Sequence, residues 1–121
     1  MKLLISVTSP ELDAQVDPRF GRAAHFLVVE PETLEWSAFP NPALNAAGGA
    51  GIQAAQFVTA QKCQAVVSGA FGPNAYDAFD AAGIPMYLFG SCRTAREVIE
   101  RFKSGQLEQA VTPGEAGHSR R

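Results

Sequence analysis

Apolar and polar positions along this chain switch between a strand period and a helix period, and the switches lay out the elements. Residues 2–8 are almost wholly apolar, with Ser6 the one polar side chain inside the run, which predicts a strand buried on both faces. Residues 25–30 predict a second strand, and Pro31-Glu32-Thr33 turns it into a third over 34–39, so these two form a hairpin. Pro40, Asn41 and Pro42 end the pairing. Glycines at 48, 49 and 51 lead into a helix over 51–62, with Ile52, Ala55 and Val58 on the face that packs on a sheet.

The second half alternates strand and helix. A short buried strand over 64–69 runs through Ala70-Phe71-Gly72-Pro73-Asn74 into a helix with Pro73 in its first turn. Ala75, Ala78, Phe79 and Ala82 repeat at helical spacing, and Gly83 supplies the stop. A strand follows over 84–89, where Pro85 is tolerable because it stands at the start. Thr94-Ala95-Arg96-Glu97 is a capping box, with Val98, Ile99 and Phe102 on the packing face and Gly105 as terminator. Residues 1–111 therefore read as one domain, and 112–121, with Pro113, Gly114 and Gly117, as a flexible tail. The succession predicts an α/β fold, a mixed sheet with helices on its faces. Ligands in such sheets bind beyond the carboxyl ends of strands where connections diverge.

Composition narrows the classes of partner. Apolar residues make up 46% and charged residues 18%, the balance of an ordinary globular domain. A net charge of −2 supplies no basic surface for nucleic acid. The first apolar run is short and soon meets Pro10 and Glu11, which argues against a signal segment or a membrane span, so a cytoplasmic protein with no membrane partner is expected. Cys63 and Cys92 form no Cys-x-x-Cys pair, so neither a disulfide framework nor a zinc site is indicated.

The candidate chemistry lies in three loops. Asp17-Pro18-Arg19-Phe20-Gly21-Arg22-Ala23 joins the first two strands and sets two permanently charged guanidinium forks around a phenylalanine and a glycine, a pattern suited to receiving an anion. The glycine-rich 47–51, with Gly49 and Gly51, and the segment 69–74, with Gly69, Phe71, Gly72 and Asn74, precede helix starts, where backbone N–H groups lack intrahelical partners. Phe20 or Phe71 would shield one side of a bound group. Among soft-metal candidates, Cys92 stands just before a helix start, where the helix dipole and Arg93 would favour its thiolate. His25 opens a strand beside the arginine loop, either as a ligand or as a histidine satisfied by backbone hydrogen bonds. Cys63 reads as a small buried hydrophobe and His118 as a solvated tail residue. Asp13, Asp17, Asp77 and Asp80 form no spacing tied to a mechanism, and neither a P-loop nor a Ser-His-Asp signature is present, so no enzyme is expected.

These motifs together resemble the dinitrogenase iron-molybdenum cofactor biosynthesis family, the nitrogenase accessory factor-like proteins. The resemblance rests on 16–23, on Gly49-Ala50-Gly51-Ile52, on 68–75, on Ala82-Gly83-Ile84 and on Thr94-Ala95-Arg96-Glu97, and it covers residues 1 to about 110. It implies a ribonuclease H-like fold with a five-stranded mixed sheet, and binding or carriage of a metal–sulfur cluster rather than catalysis. Small stand-alone chains of this kind imply a molybdenum-copper sulfide cluster. The alternatives are an iron-sulfur cluster or an iron-molybdenum cofactor precursor, with a cluster donor or acceptor protein as partner. Cluster-carrying members often place a histidine where this chain has Arg19, and arginine is not a usual metal ligand. Arg19 and Arg22 would then hold a polyanion by charge. A regulatory module that binds a phosphorylated small molecule through the same loops is the other reading left open.

Overall fold

A computed structural model describes residues 2–43 and 50–113 of the chain. Six strands lie in one sheet, β1 (Leu3–Val7), β2 (His25–Val29), β3 (Trp36–Pro40), β4 (Ala65–Ser68), β5 (Met86–Leu88) and β6 (Glu108–Gln109). Three helices accompany them among the described residues, α1 (Ala50–Ala60), α2 (Pro73–Ala82) and α3 (Ala95–Lys103). The spatial order is β3-β2-β1-β4-β5-β6. β1, β2 and β3 pair antiparallel, as the hairpin pattern predicts, while β1, β4 and β5 pair parallel, as expected for strands joined through helices.

The sheet has one strand more than the expected five. β6 holds only Glu108 and Gln109, both exposed, so it has no apolar alternation to reveal it. It exists because β5 would otherwise be an open edge: Tyr87 faces Gln109, Leu88 faces Glu108, and the Ala110 N–H donates to Met86 O at 2.8 Å. The third strand starts at Trp36 rather than at 34, because Leu34 adopts φ 64° in the connecting turn, where its N–H donates to Glu30 O. In α1 the buried face is Ala54, Ala55 and Val58, and Ile52, expected there, is 43% exposed.

β1 and β4 are buried throughout because helices cover both faces of the sheet. The pleat divides the core in two. Leu4, Phe26, Val28 and Val66 point toward α1 and α2, where Phe20, Phe71 and Phe79 complete an aromatic cluster. Leu3, Ile5, Val7, Leu27 and Val67 point toward α3 and meet Phe89, Cys92, Val98 and Ile99. The arginine loop and the start of α2 belong to the first layer. α3 and Cys92 belong to the second. Gly49 and residues 114–121, including His118 and most of the expected tail, lie outside the described residues.

Candidate functional site

The arginine loop is held to the carboxyl ends of β1 and β4 by backbone contacts and by one buried ring. Asp17 donates its N–H to Ser6 O at 2.9 Å and accepts at its own carbonyl from Ser6 Oγ at 2.6 Å. The Ser6 and Ser68 hydroxyls share a 2.8 Å hydrogen bond beneath it, so both buried serines of the central strands are satisfied. Arg19 then bridges to Ala70 in parallel register. Phe20 drops into the core, 5.2 Å from Phe26, 5.5 Å from Phe71 and 5.2 Å from Phe79 between ring centroids. Burying such a ring contributes about 1.5–3 kcal/mol, which makes Phe20 the anchor of the loop.

Gly69 decides how closely the loop can approach. A Cβ there would lie 2.7 Å from Pro18 Cα and 2.8 Å from Pro18 O, contacts that no side chain tolerates against backbone. Its absence of a side chain lets Pro18 lie on the end of β4. Gly69 is thus a packing glycine, a role distinct from the ligand donor expected of it.

Beyond the docked loop is a cleft of about 240 Å³, lined by Gly21, Arg22, Gly51, Gly72, Pro73, Asn74 and Ala75. Three chain segments meet there, the arginine loop and the first turns of α1 and α2. A Cβ at Gly51 would sit 3.5 Å from the Ala75 N atom, an ordinary contact that measures how near the two helix starts lie. α2 begins at Gly72, which offers no side-chain cap, and continues with Pro73, which has no N–H. The first-turn amides therefore keep hydrogen-bonding capacity at the positive end of the helix dipole. The exposed Arg22 is on the opposite wall of the cleft. Larger cavities of about 370 and 460 Å³ lie beside Lys2 and Trp36 and beside Asp80 and Val111, away from these loops.

The sequence-selected residues fall into groups. Gly21, Arg22, Gly51, Gly72 and Asn74 line one cleft. Arg19 is outside its lining, with its guanidinium 3.8 Å from the Asp17 carboxylate and its backbone N–H donating to Asp17 Oδ1 at 3.1 Å. Phe20 and Phe71 are each only 1% exposed, so neither presents a face to a bound group; they hold the walls from behind. Cys92 and His25 lie on the other side of the sheet. Cys92 packs with the α3 layer, and His25 shares the face of Leu27 and Val29 by the two-residue strand period.

Their chemistry also differs from expectation. Burial pushes the Cys92 thiol above its ordinary range, against a smaller opposing pull from Arg101, so the helix start does not yield a thiolate. Cys63 is likewise buried and pushed up to about 11. The Nδ1 atom of His25 is buried without a hydrogen-bond partner among the described residues, so this nitrogen lacks the backbone bond that one of the two readings gave it. No group of three or more His, Cys, Asp or Glu side chains gathers among the described residues.

One residue that sequence reading passed over is Asn41. It stands in a Pro-Asn-Pro turn, yet its carboxamide is buried and bonded to the arginine loop. An asparagine between prolines signals a turn, and nothing local says which distant loop it grips.

The chain is similar to several known proteins over nearly its whole length. The apo form of the orange protein from Desulfovibrio gigas superposes with a TM-score of 0.89 at 36% identity, covering 94% of this chain and 96% of that one. A Thermotoga protein solved by NMR gives a TM-score of 0.81 at 27% identity, over 96% and 98% of the two chains. An uncharacterised protein of Methanocaldococcus jannaschii is 29% identical over 109 residues, 88% of this chain and 92% of the relative. With residues 1–105 matched by the profile described as dinitrogenase iron-molybdenum cofactor, the chain belongs to that family.

Proposed function

We propose that the protein binds and carries an anionic molybdenum-containing metal–sulfur cluster, without catalysing a reaction, and that the cleft between Arg22 and the starts of α1 and α2 is where it does so. The observation that carries this reading is the convergence of Arg22, Gly21, Gly51, Gly72 and Asn74 on one uncapped helix start, in a chain of this family. A cluster whose metals keep their own sulfide ligands asks the protein for charge and N–H donors rather than for a set of metal-ligating side chains. A molybdenum-copper sulfide is the preferred cargo, as the resemblance of this small stand-alone chain implies. An iron-sulfur cluster or an iron-molybdenum cofactor precursor is the alternative within the same reading. The order β3-β2-β1-β4-β5 supports a ribonuclease H-like description of the fold, which carries no nuclease chemistry with it. No described helix is long and apolar enough to cross a membrane, and the reading has the carrier in the cytoplasm, exchanging its cargo with a donor or acceptor protein.

The test is reconstitution with tetrathiomolybdate alone, with tetrathiomolybdate and Cu(I), and with iron and sulfide, followed by gel filtration, metal analysis and visible spectroscopy. The wild type is expected to retain molybdenum. Arg22→Gln is expected to weaken retention roughly tenfold or more, the weight of a charged hydrogen bond, without changing the thermal transition of the cargo-free protein. Failure of every mixture with the wild type overturns the reading. Displacement by millimolar phosphate at equal affinity would favour the phosphorylated-ligand module instead.

A further inference from the structure

Arg22 is an exposed side chain on a loop, and a loop by itself holds no side chain in a fixed direction. The backbone that carries Arg22 is gripped by a carboxamide just beyond the end of β3. Asn41 is 5% exposed. Its Nδ2 donates to Gly21 O at 3.1 Å and to Ala23 O at 2.9 Å, spending both of its hydrogens on the loop. Its Oδ1 accepts from the Ala43 N–H at 2.9 Å, and its own backbone N–H donates to Ala24 O at 3.1 Å.

Peptide planarity turns these bonds into a constraint on Arg22. The Gly21–Arg22 peptide is fixed through the Gly21 carbonyl, and the Ala23–Ala24 peptide through the Ala23 carbonyl. The peptide between them is fixed by the Ala23 N–H, which donates to Phe20 O at 3.4 Å. Three consecutive planes around Arg22 are thereby set, two of them by one side chain. The same side chain holds Ala43, from which the chain continues toward Gly51 on another wall of the cleft.

We propose that Asn41 is the positioning residue of the cleft, fixing the backbone from which Arg22 projects and tying the arginine loop to the turn at Ala43. The inference deepens the proposed function and rests on it for its binding consequence, while its conformational half stands on the cargo-free protein. Asn41 is not in the cleft lining and acts through Gly21 and Arg22. A purely structural asparagine would lower global stability and leave the local order of the loop in proportion.

The experiment compares wild type, Asn41→Ala, Asn41→Asp and, as a control destabilised elsewhere, Thr94→Ala. Asn41→Asp keeps an acceptor for the Ala43 N–H while removing both donors, so it carries the test should Asn41→Ala fail to fold. In the cargo-free wild type, the Asn41 carboxamide protons are expected to exchange slowly with solvent. In the variants the Ala23 amide is expected to exchange at least tenfold faster while amides of β1 and α3 change less. Tetrathiomolybdate retention is expected to fall at least tenfold in both Asn41 variants and to stay at the wild-type level in Thr94→Ala, even where the loss of thermal stability matches. Fast exchange of the wild-type carboxamide, or an unchanged Ala23 amide in a folded variant, overturns the inference. So does retention in the Asn41 variants equal to that of a wild type that binds. A wild type that retains no tetrathiomolybdate sinks the binding reading alone, and the exchange data then decide the positioning role.

Discussion

α2 and α3 begin near the carboxyl ends of neighbouring parallel strands and solve the same problem in opposite ways. At α3, Thr94 Oγ1 accepts from the Glu97 N–H at 3.3 Å, and Glu97 Oε1 accepts from the N–H groups of Thr94 at 3.2 Å and Arg93 at 2.6 Å. The capping box is complete, and the Ala95 N–H of the first turn donates to Ala14 O at 2.9 Å. At α2, Gly72 and Pro73 provide no side-chain acceptor. The difference is one of side-chain caps: α3 has one at its positive end, and α2, beside Arg22, has none. The layers behind them also differ, with four packed phenylalanine rings, Phe20, Phe26, Phe71 and Phe79, on the α2 side and a more aliphatic set with Phe89 and Cys92 on the α3 side.

The sharpest way to break the contrast is at the approach to α2. Gly69→Ala forces the loop away from β4, and overpacking of this kind costs about 1–3 kcal/mol. Thermal unfolding should show that loss together with failure to retain tetrathiomolybdate. Gly72→Ala should show no comparable loss of thermal stability, because a Cβ at Gly72 meets nothing within 4 Å and φ is −67°. Equal behaviour of the two variants would mean that loop docking is not what shapes the cleft.

A smaller effect is expected at the capped end. Thr94→Ala removes the cap and should cost about 1 kcal/mol in denaturant unfolding with retention unchanged. Loss of retention there would show that the two helix starts are not functionally separate.

The Glu97 carboxyl is held below its ordinary range, first by the Arg93 N–H and then by the Thr94 N–H. Its folded value lies below the unfolded value of about 4.3, so its stabilisation is present above that value and is lost as pH falls through the lower folded value. Wild type and Glu97→Gln should therefore differ in melting temperature at neutral pH and converge in acid. A gap that widens on acidification would reverse the assigned sign. Least of all should change in Cys92→Ser, which lies in the α3 layer: retention and the visible spectrum are expected to match wild type, and a shifted spectrum would return this sulfur to the site.

Much of this architecture was legible because it depends on neighbours in sequence. The Gly83 stop of α2 is in the left-handed region at φ 74°, the capping box forms as written, and Pro73 occupies the first turn. The composition of the cleft was legible in part. Arg22 and the glycines could be singled out by type, whereas the sorting of Arg22 from Arg19 depends on which faces the cleft once Phe20 is buried. Phe20 and Phe71 looked available because they sit in loops, yet a phenylalanine in a docked loop gains more from the core than from a surface. Cys92 and His25 looked close to the site along the chain and are divided from it by the sheet.

By itself, the sequence determined the α/β class, the hairpin and the caps of α2 and α3, because periodicity and caps are local properties. The tertiary structure alone decided the sixth strand, the packing role of Gly69, the grip of Asn41 and the side of the sheet on which each candidate ligand lies. Each of these depends on a partner far away in the chain: β5 for Glu108 and Gln109, Pro18 for Gly69, and Gly21 and Ala23 for Asn41. A polar pair, a glycine or an asparagine carries no mark of its distant partner, because hydrogen bonding and close packing are satisfied by whatever the closed fold brings within reach.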